Sequence, residues 1–358
     1  MQLRRAIPAR RGYARRVKKV VVHRAGSYDR LCVEAHADLE PGPGQVLIEV
    51  EAMGVNYADC IVRMGLYSSA KKYVGWPITP GFEVAGRVKA LGPGAAAPAV
   101  GTQVIGLTRF DGYATQVVVP QNQVFERPPE MSATVAAGFP AVFLTAHFAL
   151  IELCKLRPGM KVLVHSAAGG VGGALTQIAR LHGCEVAGVV GSAHKVEAAR
   201  GHGASLVIDK SHEDLWRAAE RFAPKGFDVV LDANGVETLA DSYAHVRPTG
   251  RLVIYGFHTM MPKSGGKPHY GKLAVDWLRT PRFNPLKLTE ENRSVMGFNL
   301  SYLFDRPELL VEGMRDLLGW LGKLRPHAVR VFPLSRVGEA HAAIESGTTT
   351  GKLVLVPD

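Results

Sequence analysis

A run of small residues at positions 166–173 could hold a phosphate group. Residues 167–172 spell a G-x-G-x-x-G pattern whose first position is Ala, and they follow a short apolar run at 162–164. Together these stretches predict a buried strand, a tight turn and a helix that continues to Arg180. Free backbone N–H groups and the helix dipole favour an anion at such a turn. Glycine-rich turns are also common for structural reasons alone, so the surrounding elements have to decide.

Residues that would distinguish NADPH from NADH follow the next predicted strand. Sites that prefer NADH place an acid at the end of this strand, about 20 residues after the turn. Residues 189–195 read Val-Val-Gly-Ser-Ala-His-Lys and contain no carboxylate, but they offer Ser192 and Lys195. A cation attracts a 2′-phosphate, whereas an acid would repel it. Lys195 could also be an ordinary exposed helix lysine, but the missing acid favours NADPH.

The elements around the turn predict a sheet of the kind that binds dinucleotides. After residue 139, short apolar strands alternate with helical segments at intervals typical of βαβ units. This alternation predicts an α/β fold with a doubly wound parallel sheet, in which the glycine turn follows the first strand. Residues 18–139 contain many short strands between turn residues, which predicts a β-rich unit. Residues 258–293, rich in Gly, Pro, Lys and Arg, predict a lid, a binding loop or a mobile connection.

Length and composition indicate a globular protein of two units. The chain has 358 residues, of which 47% are hydrophobic and 21% are charged. No apolar run approaches the roughly 20 residues that span a bilayer. The four cysteines lie far apart without a C-x-x-C pair. This spacing argues against a structural zinc site or a disulfide framework, and it favours a reducing compartment such as the cytoplasm.

Positive charge is concentrated at the N-terminus. The net charge is +11, but nine basic residues lie within the first 24 positions and no acidic residue precedes Asp29. The rest of the chain is close to neutral, so a basic surface for nucleic acid is not expected. The basic segment fits a solvated flexible tail, a targeting segment or an anchor to an anionic surface.

Five motifs along the chain resemble those of the medium-chain dehydrogenase/reductase superfamily. They are GVNYADCIVRMGLY at 54–67, TPGFEVAGRV at 79–88, AAGGVGGALTQIAR at 167–180, GVETLADSY at 235–243 and GKLVLVP at 351–357. Zinc-dependent members carry Cys and His as metal ligands at the positions of Asn56 and Phe82, and neither residue is a usual zinc ligand. The chain therefore resembles the zinc-free quinone oxidoreductases, similar to ζ-crystallin. Residues 284–303 and the loop before them look most like the vesicle amine transport protein branch of that group.

The resemblance implies a tail and two domains. The tail would occupy residues 1–17. A GroES-like catalytic domain would be formed by 18–144 together with 299–358, and a Rossmann NADPH-binding domain by 145–298. A homodimer joined through sheet edges of the Rossmann domains is also implied, since such pairing protects those edges.

The resemblance places two residues at the mouth between the domains, beside the nicotinamide. Asn56 could bond a substrate carbonyl or the cofactor ribose, and Tyr67 could stack on a flat acceptor or donate a proton. Both could instead be structural, as a loop-capping amide and a core aromatic. Asp59 and Arg63, one helical turn apart, are expected to form a structural pair.

The resemblance also implies a set of cofactor contacts. Thr145 would meet the nicotinamide or its phosphate, and Asn234 the adenine or ribose. Relatives carry a Tyr over the 2′-phosphate where this chain has Lys210, and a basic residue reaches that phosphate at the position of Lys352. The implied contacts are Asn56, Thr145, Ala168, Gly169, Gly170, Val171, Gly172, Ser192, Lys195, Lys210, Asn234, Tyr255, Gly256, Phe257, Phe298, Asn299, Leu300 and Lys352.

The function implied is reduction of an acceptor that needs no metal. Without a zinc ligand set there is no Lewis acid to activate an alcohol. Hydride transfer from NADPH to a quinone or an α,β-unsaturated carbonyl compound remains, with solvent protonating the product because no general acid is apparent. One alternative is an enoyl-thioester reductase. Another is a non-enzymatic binding protein that contacts membranes through the tail or residues 258–293.

Overall fold

The computed structural model describes residues 17–358. The predicted basic tail therefore lies outside the described residues, except for its last position. That position, Val17, is buried in the first strand of the described residues.

Among the described residues, nine strands form the β-rich part of the molecule. They are β1 (Val17–Val21), β2 (Cys32–His36), β3 (Gln45–Val55), β4 (Glu83–Leu91), β5 (Gln103–Leu107), β6 (Gln116–Pro120), β7 (Val124–Glu126), β14 (Val329–Pro333) and β15 (Lys352–Val356). β1 and β2 form a two-stranded sheet, and the others form a sheet of order β14-β15-β3-β4-β5-β7, with β6 also paired to β3. The two last strands of the chain thus return to the sheet built by its first third.

Six strands of the described part of the chain form a second, entirely parallel sheet. They are β8 (Lys161–Val164), β9 (Glu185–Val190), β10 (Leu206–Asp209), β11 (Phe227–Asp232), β12 (Val246–Ile254) and β13 (Ser294–Gly297). The order is β10-β9-β8-β11-β12-β13, which confirms the predicted doubly wound sheet. The strand order reverses beside β8, so the loops after β8 and β11 border the crevice where such sheets bind ligands.

Twelve α-helices connect these strands within residues 17–358. They are α1 (Tyr57–Arg63), α2 (Ser68–Tyr73), α3 (Ala133–Ala137), α4 (Pro140–His147), α5 (Gly170–Leu181), α6 (Val196–Gly201), α7 (Leu215–Phe222), α8 (Leu239–Ala244), α9 (Tyr270–Arg279), α10 (Pro285–Glu290), α11 (Pro307–Gly319) and α12 (Val337–Glu345). A π-helical stretch, Phe148–Cys154, continues α4. The helix predicted after the glycine turn is α5, which ends one residue beyond the predicted Arg180.

Residues 258–293 contain α9 and α10 where the sequence predicts a lid or loop. The burial pattern of α9 is inverted. Asp276 is 5% exposed and paired with Lys272, whereas Trp277 and Leu278 are 65% and 67% exposed. A helix that packs on a core directs its apolar residues inward, whereas α9 directs them outward. The sequence therefore did not predict this helix.

One apolar core is shared by both sheets. It joins Ile105 of β5, Phe143 of α4, and Val164 and Ile178 of the β8–α5 unit. Helix α4 therefore packs between the two parts of the molecule and fixes their relative position. Within the described chain, no helix combines the length and apolarity needed to cross a bilayer.

Candidate active site

The glycine turn after β8 forms a cradle that a side chain would fill. A Cβ on Gly172 would lie 2.2 Å from the backbone oxygen of Ser166, so a larger residue requires the backbone to move. The first helical bond of α5 runs from the Gly173 N–H to the Gly169 oxygen at 2.8 Å. The N–H groups just before it lie in the first helical turn and are available to an anion. The predicted cradle, residues 168–172, therefore fits a pyrophosphate.

The loop after β11 forms the other side of the crevice. The buried Asp232 carboxylate accepts the backbone N–H groups of Asn234 at 2.8 Å and Gly235 at 3.2 Å, together with two hydroxyl groups. Asn234 is 4% exposed, and its side-chain oxygen accepts a hydrogen bond from Ser166 at 3.3 Å. The structure thus brings Asn234 to the glycine turn, and Asp232 holds it there.

Two of the predicted lysines flank the end of β9. The Lys210 side chain reaches over Gly191, since a Cβ on that glycine would lie 3.8 Å from Lys210 Cε. Lys195 donates a hydrogen bond to the backbone oxygen of Gly347, and partial burial lowers its pKa. Ser192 directly precedes the short 3-10 turn that carries Lys195, and its side chain makes no capping hydrogen bond. A partly desolvated cation beside an exposed one suits an anionic group here.

Lys352 does not join these lysines. It is 4% exposed, and its ammonium group donates to Asn56 Oδ1 at 2.5 Å and to Glu83 Oε1 at 2.8 Å. Asn56 Nδ2 donates to the same Glu83 oxygen at 2.9 Å. In this arrangement the Lys352 ammonium group is directed at Asn56 and Glu83, and its contact with a 2′-phosphate remains a prediction.

Glu83 was not among the predicted site residues. It is fully buried, and its second oxygen accepts the Ala141 N–H at 2.6 Å at the start of α4. The sequence did contain a signal. An acid directly after Phe82, at the head of the apolar strand β4, needs a buried partner that only a distant residue can supply.

Tyr67 is hydrogen-bonded to Asn299, which lies on the other side of the crevice. Its only hydroxyl hydrogen is donated to Asn299 Oδ1 at 2.8 Å, an oxygen that also accepts from the backbone and hydroxyl of Ser301. Burial raises the pKa of Tyr67 to about 12. Its ring meets Phe82 and Phe110 edge-on at 5.9 and 6.4 Å. The geometry does not support the predicted proton transfer from Tyr67, and stacking on a flat acceptor stays a prediction.

The remaining predicted contacts lie in α4 and after β12 and β13. Thr145 donates its hydroxyl to Ala141 O in its own helix at 2.7 Å. The rings of Tyr255 and Phe298 stack at 6.4 Å, and Phe257 is 41% exposed. The structure thus brings the segments after two adjacent strands together, but their contacts with a cofactor remain predictions. Gly256 and Leu300 belong to the same segments.

The predicted pair of Asp59 and Arg63 is wrong. Arg63 instead bonds Glu345 at 2.6 Å. Asp59 accepts the N–H groups of Asn56 at 2.8 Å and Gly81 at 3.0 Å, as well as a tyrosine hydroxyl, and burial raises its pKa to about 7. Tertiary partners override the helical spacing, and Asp59 serves to hold the backbone on both sides of the Asn56 site.

One group of possible metal ligands occurs among the residues described. Cys60, His341 and Glu345 are buried with their ligand atoms within 4.8 Å of one another. The Arg63 guanidinium already binds Glu345 and lies 3.1 Å from His341 Nδ1. Burial raises the pKa of the Cys60 thiol, which therefore keeps its proton. A cluster whose carboxylate is already paired with a guanidinium, and whose thiol keeps its proton, does not suit a metal ion.

A histidine pair behind the turn was not predicted. His327 donates from Nε2 to the Gly170 oxygen at 2.7 Å and stacks on Phe143 at 5.3 Å, while His202 meets it edge-on at 5.0 Å. A Cβ on Gly173 would lie 2.6 Å from His202 Nε2. The pair packs against the start of α5, with His202 at the end of α6 and His327 in the segment that returns to the β-rich sheet.

His327 should make stability depend on pH. Burial, together with His202, lowers the pKa of His327 to about 4. The unfolded chain binds this proton near pH 6.5 and the folded chain does not, so stability is lost as pH falls from 6.5 to 4. Between pH 7 and 4 the free energy of unfolding of the wild type should fall by about 3 kcal/mol more than that of His327→Gln. Glutamine does not titrate but still offers an N–H donor for the Gly170 oxygen. Urea unfolding of both proteins across this range tests it, and parallel pH curves would contradict it.

Comparison with known proteins gives matches over nearly the whole chain. Residues 42–129 match the alcohol dehydrogenase GroES-like domain, and residues 170–313 match the zinc-binding dehydrogenase domain. The synaptic vesicle membrane protein VAT-1 homolog of Homo sapiens is 35% identical over 337 residues, covering 93% of this chain and 84% of that protein. A 2-haloacrylate reductase from Burkholderia sp is 30% identical, covering 95% and 99% of the two chains.

Solved structures of oxidoreductases share the fold. The CurK enoyl reductase superposes with a TM-score of 0.83 at 28% identity, covering 96% of this chain and 99% of that chain. The Escherichia coli quinone oxidoreductase complexed with NADPH superposes with a TM-score of 0.82 at 25% identity, covering 95% and 100%.

Proposed function

This chain belongs to the medium-chain dehydrogenase/reductase superfamily, and from that premise we propose that it is an NADPH-dependent reductase of quinones or α,β-unsaturated carbonyl compounds that works without zinc. The resemblance inferred from its motifs and the predicted pairing of a GroES-like part with a Rossmann part are confirmed. The acceptor, the independence from zinc and the residue roles below are proposals.

The cofactor proposal is supported by the glycine cradle and by two cations. Residues 168–172 would hold the pyrophosphate, with Asn234 beside it. Ser192, Lys195 and Lys210 would hold the 2′-phosphate, and the quinone oxidoreductase similar to this chain is a complex with NADPH. When bound, NADPH supplies a hydride and is oxidised to NADP⁺.

Replacing Lys195 and Lys210 should change the preference between cofactors. A hydrogen bond to a charged group contributes about 1.5–3 kcal/mol. The variants Lys195→Ala and Lys210→Ala should therefore each raise the Michaelis constant for NADPH by about 10- to 100-fold and leave that for NADH almost unchanged. Steady-state kinetics with both cofactors measure this. Lys225→Ala, an exposed lysine in the turn before β11, is the matched control; equal changes for both cofactors would remove the lysines from the phosphate site.

The acceptor proposal rests on Asn56 and Phe82, the residues at the positions where zinc-dependent relatives carry metal ligands. Phe82 is buried against Tyr67 and Phe110, and the Asn56 amide is held by Lys352 and Glu83. An aromatic ring and a fully oriented amide do not make a zinc site, so the residues present do not fit that metal. The site instead offers one amide donor near an apolar, aromatic wall, which suits a flat acceptor that is already electrophilic.

A panel of acceptors tests the proposal. NADPH oxidation is followed with quinones, enones, 2-haloacrylates and enoyl thioesters, and metal content is measured on the same sample. We expect reduction of quinones or enones without stoichiometric zinc. Preference for enoyl thioesters would favour the acyl-reductase alternative, to which the CurK neighbour points. Activity with none of these acceptors would favour a binding protein that retains the fold.

We further propose that residues 18–144 and 299–358 act as the catalytic domain and that 145–298 act as the cofactor domain.

We also propose that the protein is a cytoplasmic homodimer. Support for the dimer comes from β13, an edge strand of the parallel sheet. One of its hydrogen-bonding sides is unpaired among the described residues. Light scattering after gel filtration measures the mass, and a monomer across the micromolar range would contradict the dimer.

A further inference from the structure

We propose that Lys352 is a positioning residue that makes the Asn56 amide a binding site for negative charge developing on the acceptor's oxygen. The inference rests on the proposed function and assigns a group to the acceptor side of the site. Asn56 makes the contact with the acceptor, and Lys352 acts through Asn56.

Two buried charges fix the orientation of this amide. Lys352 can only donate hydrogen bonds and the Glu83 carboxylate can only accept them, so the amide oxygen must face the ammonium and the amide nitrogen must face the carboxylate. The two distances are 2.5 and 2.9 Å. The second N–H of Asn56 has no partner among the described residues, and the side chain is half-buried rather than buried. One donor of known direction is therefore left for a ligand.

The cluster is joined to the cofactor cradle by two pairs of neighbouring residues. Gly351 forms a β-bridge with the first glycine of the turn, and the next residue is Lys352. Ala141 donates its N–H to Glu83 at 2.6 Å, and the next residue, Val142, packs against the turn. In both connections a residue that contacts the turn is followed or preceded directly by one that contacts the cluster, so the amide lies beside the cradle.

The ammonium group should strengthen the remaining amide donor. When a hydride adds to the β-carbon of an α,β-unsaturated carbonyl compound, the electron pair of the C=C bond shifts and the carbonyl oxygen becomes negative. A proton from solvent then completes the saturated product. Lys352 draws electron density from the Asn56 oxygen, while Glu83 accepts only one of the two N–H groups of the amide. Because Lys352 and Glu83 are both buried, water screens their charges little. A preorganised donor of this kind contributes about 10²- to 10³-fold to kcat.

Binding of 4-nitrophenolate tests the inference without turnover. Its phenolate oxygen stands for the enolate oxygen, and its absorbance distinguishes the bound anion from the neutral phenol. In the presence of NADP⁺, the wild type should bind the phenolate more tightly than the phenol. Lys352→Met should weaken phenolate binding at least about 10-fold and lower kcat by about 100-fold, with the dissociation constant for NADPH changed less than about 3-fold.

A charge-balanced double variant separates this role from folding. Glu83→Gln/Lys352→Met removes both charges of the pair, so it should fold even where the single variant does not. We expect it to keep the NADPH affinity and to lack preferential phenolate binding. Wild-type phenolate affinity in the double variant would overturn the inference, as would a loss confined to NADPH affinity, which would mark Lys352 as a cofactor contact. Failure of the proposed function appears separately, as a wild type that reduces no acceptor.

Discussion

Replacing Arg63 with Met should lower the free energy of unfolding by about 3–5 kcal/mol, the usual cost of leaving one charge of a buried pair without its partner. Arg63 and Glu345 are both fully buried, 2.6 Å apart. Tyr28 also donates to Glu345 at 2.6 Å, and the guanidinium lies over the Tyr28 ring. The variant leaves the Glu345 carboxylate buried with only neutral donors. Urea unfolding at neutral pH measures the loss.

Two further variants identify the cause. Arg63→Met/Glu345→Gln removes both charges and should recover a large part of the lost stability, because the buried carboxylate no longer needs a partner. Arg336→Met breaks an exposed pair with Glu339 and should cost less than about 1 kcal/mol. If Arg63→Met were no worse than Arg336→Met, the buried pair would not stabilise the fold.

The parallel sheet and its glycine turn were predictable because their signals are local. A short apolar run, a glycine pattern and an amphipathic helix lie within 20 residues, and the Gly172 position admits no side chain. The absent acid after β9 is equally local. The structure places Lys195 and Lys210 on either side of that strand end, and their contact with a 2′-phosphate remains a prediction.

The polar clusters could not be predicted because their partners are far apart in the chain. Asp59 and Arg63 have the spacing of a helical pair, yet the partner of Arg63 is 282 residues away. Lys352 was assigned by its motif alone, and 296 residues separate it from Asn56, the amide it binds. The spacing of residues on one helix predicts which of them share a face. Which distant residue pairs with a buried charge depends on how the sheets and helices pack together. Buried charges without local partners are therefore the positions where sequence reasoning fails first.

Gly172→Ala should raise the dissociation constant for NADPH by about 5- to 150-fold, the equivalent of an overpacking cost of about 1–3 kcal/mol. Alanine favours helix over glycine by up to about 1 kcal/mol, so the clash has to outweigh a gain. It should do so because the added Cβ would meet backbone, 2.2 Å from the Ser166 oxygen, where no side chain can rotate away. Opening the turn displaces the N–H groups that would face the pyrophosphate. Fluorescence titration with NADPH measures the change.

A series of Gly→Ala variants at other positions makes this test specific to the turn. A Cβ on Gly169 would lie 3.3 Å from the same Ser166 oxygen, so a shift of a few tenths of an ångström relieves it and the loss of affinity should be smaller. Gly271 in α9 has no atom within 4 Å of an added Cβ, so its variant should bind NADPH normally and be slightly more stable. The expected order of affinity loss is Gly172, then Gly169, then Gly271. The added methyl group disturbs the backbone of the turn in Gly172→Ala and disturbs nothing in Gly271→Ala. If both variants bound NADPH equally tightly, the turn would not be the cofactor's anion site.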